Sequence, residues 1–120
     1  MCGIAGLIDL TGKRQPDRLT VQRMATALWH RGPDDEGYLI RPGFGFASRR
    51  LSIVGLGDGR QPIFNEDGTV AVVYNGELFD YPERKAELEA KGHVFKTHTD
   101  TELIVHLYEE HGEDVFSELK

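Results

Sequence analysis

Met1-Cys2-Gly3-Ile4-Ala5-Gly6-Leu7-Ile8-Asp9-Leu10 opens the chain, and its reading decides the fold. Residues 2–10 form an almost continuous apolar run, which predicts a buried strand. Gly3 and Gly6 within it suggest close approach of neighbouring backbone. At its head stands Cys2, the only cysteine of the chain. A residue this small in second position lets the initiator methionine be trimmed, which leaves Cys2 with a thiol and a free α-amine. A thiol attacks as thiolate and titrates near about 8.5 in free cysteine, whereas an α-amine titrates at about 7.7–8.0. At neutral pH the amine can therefore accept a proton locally. Pairing a nucleophile with the chain's own amine is a recognised activation scheme. Taken alone, Cys2 reads first as a small buried hydrophobe.

Composition narrows the classes. The chain has 120 residues, enough for one domain with a real core. Its hydrophobic fraction of 39% and charged fraction of 28% describe an ordinary globular protein. A formal charge of −6 argues against a general nucleic-acid or anionic-membrane surface. One cysteine excludes an intrachain disulfide framework and a Cys-rich zinc site. No apolar run approaches a membrane span, and the N-terminus lacks the basic and long apolar regions of a signal peptide. These features predict a reduced, cytoplasmic protein without nucleic-acid or membrane partners.

No repeat, linker or low-complexity tract interrupts the chain. After a turn at Thr11-Gly12-Lys13, Pro16 and Asp17 introduce a helix over 17–30, with Val21, Met24, Ala25 and Leu28 on one face. Segments 38–41 and 44–49 form a hairpin around Pro42-Gly43. A glycine-rich loop covers 55–61. Residues 69–74 read as the clearest strand, and 81–91 as a charged helix stopped by Gly92. Residues 94–96 suggest a short strand. Thr99-Asp100-Thr101-Glu102 has the form of a capping box, opening a helix whose Leu103, Ile104, Leu107 and Tyr108 face the core. A short helix over 113–120 closes the chain. Helices alternate irregularly with hairpins, which predicts an α+β fold rather than a doubly wound parallel sheet.

Several chemistries lack their motif. There is no G-x-G-x-x-G after a strand and no P-loop lysine, so nucleotide binding has no support. None of the five histidines sits in an H-E-x-x-H pattern or with carboxylates at ligand spacing, so no metal site is expected. His106 is read as a solvated or edge residue. The informative residues lie in turns at strand ends. Asn75-Gly76-Glu77 follows the 69–74 strand, and an Asn NH2 beside a Gly N–H offers two donors to one oxygen, as an oxyanion hole requires. A plain Asn-Gly turn is the alternative. Arg49-Arg50 could grip a carboxylate bidentately or form a surface ion pair. Asp100 sits where a carboxylate would support a helix N-terminus.

The order of these pieces carries more than any one of them. Met1-Cys2-Gly3-Ile4, His30-Arg31-Gly32-Pro33-Asp34, Arg50-Leu51-Ser52-Ile53-Val54, Gln61-Pro62, Asn75-Gly76-Glu77 and Thr99-Asp100-Thr101-Glu102 occur in sequence. Over essentially all 120 residues the chain resembles the class II glutamine amidotransferase domain, an N-terminal-nucleophile (Ntn) hydrolase. The His-Arg-Gly-Pro-Asp and Arg-Leu-Ser-Ile segments resemble the glutaminase half of glutamine-hydrolysing asparagine synthetases most closely.

The resemblance implies an αββα sandwich, incomplete over these 120 residues: residues 1–120 as the N-terminal part of the glutaminase domain, with the synthetase domain absent. It implies that Cys2 attacks the side-chain amide of L-glutamine, with Asn75 and Gly76 forming the oxyanion hole. Arg50 would hold the substrate carboxylate, and Glu77 and Asp100 its ammonium. Ile53 and Val54 would line the site, with Arg31 as a contact and His30 as a support. Gly55 departs from the family pattern, which often has Asp there. No cofactor is implied for this domain; ATP and Mg belong to the synthetase domain, the implied covalent partner, which makes asparagine from aspartate. A homodimer is left open. Two other readings stay open as well: amidation of a different acceptor, and a non-catalytic module that binds glutamine or a partner chain.

Overall fold

The computed structural model describes residues 2–51 and 58–120. The fold falls into two units, one comprising Met1–Pro62 with Val73–Asn75, the other Ile63–Val72 with Gly76–Lys120.

The first unit is built on strand β1, Gly3–Ile8, as the apolar opening predicts. The hairpin is longer than its sequence signal: β2 spans Asp35–Arg41 and β3 spans Phe44–Arg50. These strands make an antiparallel sheet of order β1-β3-β2, with Gly3 opposite Arg49 and Glu36 opposite Arg49 from the other side. Helix α1, Arg18–Ala27, packs on β1 and β3. It starts where the sequence places it, because the Asp17 carboxylate accepts the Thr20 backbone N–H at 3.0 Å. Val21, Ala25 and Ala47 form the core beneath it, flanked by Leu7, Tyr38 and Ile40.

Strand β1 is not buried on both faces as expected. Its alternate residues Gly3, Ala5 and Leu7 turn toward the helix, whereas Ile4 and Ile8 are 46% and 67% exposed. Period-2 alternation puts Phe44 and Phe46 on that second face with them. At Gly6 the closest neighbour is a side chain rather than backbone: a Cβ there would stand 2.6 Å from the Phe46 ring, with Gly45 O at 3.3 Å.

In the second unit β4, Ile63–Phe64, pairs antiparallel with β5, Ala71–Val72. Helix α2, Tyr81–Ala90, ends before Gly92, whose φ of 103° is the left-handed backbone that glycine tolerates. Helix α3, Glu102–His111, packs on α2, β4 and β5. A 3-10 turn, Gly112–Asp114, leads into the short α4, Val115–Glu118. The core gathers Ile63, Leu78, Leu88, Leu103, Val105, Leu107 and Val115.

Five expectations need correction here. The 69–74 strand shrinks to β5, because beyond it the backbone of Tyr74 bonds to a side chain instead of a strand: Gln61 Oε1 accepts from Tyr74 N, and Gln61 Nε2 donates to the Tyr74 carbonyl. Residues 94–96 form no strand, because Glu66 takes the Val94 N–H and Glu102 takes the Lys96 N–H. On α3 the buried arc runs through Glu102, Leu103, Val105, His106 and Leu107, while Tyr108 is 42% exposed. Glu102 tolerates burial because its carboxylate accepts from Lys96 N, Thr97 N and Thr97 Oγ1. It therefore reaches back past Thr99 and does not close the capping box. His106, expected at an edge, is fully buried, with its ring centroid 4.3 Å from that of Phe95.

Candidate active site

Cys2 precedes β1 and carries a free, half-buried thiol. Its carbonyl oxygen is held twice: Arg31 Nε donates to it at 3.1 Å, and Asn75 Nδ2 donates at 3.0 Å. Three residues drawn from separate sequence motifs thus converge on one backbone atom. The helix end supplies Arg31, through turns closed by Arg31 N to Leu28 O and Gly32 N to Trp29 O. Gly32 allows this turn to lie against β3, since a Cβ there would fall 2.5 Å from the Arg49 and Arg50 backbone. His30 is exposed beside it.

The two arginines that close β3 have separate duties. Arg49 is buried, donates from Nε to the Gly32 carbonyl at 2.8 Å and pairs with Glu36. It fastens the His30–Pro33 turn to the sheet. Arg50 points to the opposite face by strand alternation, with Nη1 donating to the Asp58 carbonyl at 3.0 Å. Gly3 pairs with Arg49, so Cys2 lies one residue beyond, at the level of Arg50 and on the same face. A nucleophile and a guanidinium at one end of one sheet face suit a substrate that carries both an electrophilic carbon and a carboxylate.

Asn75 itself is exposed, and its position rests on Gln61. The Gln61 amide brackets the preceding residue, with Tyr74 N to Oε1 at 2.7 Å and Nε2 to Tyr74 O at 2.8 Å. Gln61 was visible as part of a motif, but nothing in the motif pointed to this clamp. In the second unit, Gly76 and Glu77 are exposed, and Asp100 Oδ2 accepts from Leu78 N at 2.7 Å. Asp100 thus steadies the turn that carries Gly76 and Glu77, a role its sequence position did not suggest. Ile53, Val54 and Gly55 lie outside the described residues.

The fold also gathers side chains that spacing alone kept apart. Glu66, His93, His106 and Glu109 offer ligand atoms within 4.8 Å of one another, a grouping that reading the histidines' sequence spacing did not show. Their positions along the chain, 66, 93, 106 and 109, match no metal motif: only His106 and Glu109 are helix neighbours, and tertiary folding brings Glu66 and His93 to them.

Comparison with known proteins agrees with the order of motifs. A sequence model of the glutamine amidotransferase domain matches residues 1–120. Asparagine synthetase [glutamine-hydrolyzing] 2 of Bacillus subtilis is 51% identical over 114 residues, covering 93% of this chain and 15% of the relative. Asparagine synthetase [glutamine-hydrolyzing] 1 of the same organism is 38% identical over 123 residues, covering all of this chain and 19% of the relative. A probable asparagine synthetase [glutamine-hydrolyzing] of Dictyostelium discoideum is 40% identical, covering 95% of this chain and 21% of that protein. The chain thus spans between 15% and 21% of these relatives' length. With the family model matching residues 1–120, the chain belongs to the glutamine amidotransferase domain family.

Proposed function

We propose that this chain is the glutaminase part of an asparagine synthetase-type amidotransferase and hydrolyses the side-chain amide of L-glutamine. The observation that carries the reading is the pinning of the Cys2 carbonyl by Arg31 and Asn75. It fixes the residue that must attack while leaving its thiol unconstrained by a disulfide.

With Met1 removed, the α-amine of Cys2 takes the thiol proton and the sulfur adds to the amide carbon. The resulting oxyanion accepts from the second hydrogen of Asn75 Nδ2 and from the Gly76 N–H. Collapse breaks the C–N bond, and the protonated nitrogen leaves as ammonia. Water then hydrolyses the γ-glutamyl thioester, which returns the thiol and releases glutamate. Arg50 binds the substrate carboxylate, and Glu77 and Asp100 receive its ammonium. Ile53 and Val54 contribute to the same pocket. A zwitterionic substrate needs such opposed charges, and they select free glutamine over a glutamine within a peptide.

For the whole protein we propose that the ammonia passes to an ATP-dependent synthetase domain that converts aspartate to asparagine. The names of the relatives at 51% and 38% identity support this acceptor. For the fold we propose the αββα sandwich of Ntn hydrolases. The apolar second face of the β1-β3-β2 sheet, with Ile4 and Ile8 exposed, is suited to a second sheet.

A Cys2→Ala variant tests the chemistry. Glutamine turnover should fall by at least about 10^3-fold, as removal of a nucleophile does elsewhere, while glutamine still binds. Turnover near the wild-type rate would dismiss the thioester route.

A further inference from the structure

The strongest unexplained feature lies wholly in the second unit, in the Glu66, His93, His106 and Glu109 cluster. Glu66 comes from the turn between β4 and β5, His93 from the segment after α2, and His106 and Glu109 from one face of α3 at i and i+3. Both imidazoles aim Nδ1 inward, 3.2 Å apart. Glu109 Oε2 is 3.3 Å from each of these nitrogens. Glu66 Oε2 is 3.5 Å from His106 Nδ1, and Glu66 Oε1 is 3.9 Å from His93 Nδ1. A tetrahedral ion with bonds of about 2.0–2.1 Å has ligand–ligand edges of roughly 3.3–3.4 Å. The His93–His106, His–Glu109 and Glu66 Oε2–His106 separations lie close to that edge, and the remaining ones lie within 4.8 Å.

A second, independent observation is the hydrogen bonding of the fully buried His106. Its Nδ1 faces another imidazole nitrogen and two carboxylates, and its Nε2 is buried with no hydrogen bond, 3.5 Å from Glu102 Oε1. Two neutral rings facing through Nδ1 have one shared proton at most between them, and two charged rings would oppose N–H to N–H. A cation at the centre accepts all the lone pairs at once and leaves each Nε2–H for a carboxylate.

The surrounding groups fit that state. His93 Nε2 meets Glu110 Oε1 at 3.0 Å, whereas His106 Nε2 stands 3.5 Å from Glu102 Oε1 without a hydrogen bond. Such carboxylate–histidine pairs orient metal-bound imidazoles. The carboxylates are anchored too: Val94 N donates to Glu66 Oε1 at 2.8 Å, and Asn65 Nδ2 donates to Glu109 Oε1 at 2.8 Å. A cavity of about 270 Å3 lined by Glu66, Lys91, Gly92, His93 and Glu109 gives an ion access from one side.

We propose that Glu66, His93, His106 and Glu109 form a four-coordinate site for a divalent cation, zinc by donor set and geometry. Four protein ligands close the coordination sphere, so the ion is structural. It ties the β4–β5 turn and the post-α2 segment to α3.

The test is calorimetric titration of zinc chloride into the chelator-stripped 120-residue protein. Saturation at one equivalent is expected, with a zinc-dependent rise in Tm. The single variants His93→Asn and Glu109→Gln should each weaken binding at least about tenfold. Both sit at the cavity rather than in the core, and their helical circular dichroism in chelator shows whether they fold. Cobalt(II) replaces zinc in a second measurement on the wild type, which needs no variant. Visible bands of a tetrahedral ion without a sulfur charge-transfer band support the site. Absence of saturable uptake, equal uptake by the His93→Asn/Glu109→Gln double variant, or a sulfur band assigning the metal to Cys2 would each overturn it.

Discussion

Of the two hydrogens on Asn75 Nδ2, one is committed to the Cys2 carbonyl at 3.0 Å. This single bond both positions Cys2, the proposed nucleophile, and aims the remaining N–H, so the proposed oxyanion donor is oriented before substrate arrives. Arg50 is the residue whose removal should separate binding from chemistry. Loss of a charged contact to the substrate carboxylate costs about 1.5–3 kcal/mol, so Arg50→Ala should raise KM for glutamine by about 10- to 100-fold. The kcat should change far less, and steady-state glutaminase kinetics read the split; an unchanged KM would remove Arg50 from the substrate. At this scale residue type and local sequence singled out Cys2 and Asn75, and the structure joins them through the Asn75 Nδ2 bond to the Cys2 carbonyl. The clamp by Gln61 and the bond that Leu78 N donates to Asp100 were not legible there, since they join side chain to backbone across 13 and 22 positions.

Among the elements, α1 was read from sequence nearly to its ends, because Asp17 supplies a local cap and Val21 and Ala25 a local apolar face. The Thr20 backbone and side-chain donors hold the Asp17 carboxyl below the ordinary aspartate range. A lowered folded-state value means that the cap stabilises above the unfolded pKa and is lost as pH falls through the folded one. Asp17→Ala should therefore lower Tm at neutral pH, and the gap to wild type should close in acid; thermal melts across that range measure it. The strands over 69–74 and 94–96 were overread for a shared reason. Their β-branched and apolar residues favour extended backbone, but hydrogen bonds at Tyr74, Val94 and Lys96 go to side chains of Gln61, Glu66 and Glu102. A propensity scale does not contain those partners. Gln61→Ala strips both bonds from Tyr74, a cost of about 1–3 kcal/mol in stability if no water replaces them. It should also lower kcat through Asn75, and Gln61→Glu, which keeps only the acceptor, should fall between.

For the whole molecule, the α+β class was legible from irregular alternation of helix and hairpin, and both sheets are antiparallel. What composition could not convey is which polar residues the fold buries. Glu102 and His106 are 1% and 0% exposed, although a charged or titratable residue on a helix ordinarily faces solvent. Among the described residues no helix is long and apolar enough to cross a membrane. The family is shown by the match of its domain model over residues 1–120, and the central claim concerns Cys2. Its most direct test is the intact mass of the protein after incubation with a diazo-ketone analogue of glutamine. The account predicts loss of Met1 and one covalent adduct on Cys2, with free glutamine slowing the labelling. A retained Met1, or a trimmed chain that stays unlabelled, would contradict it.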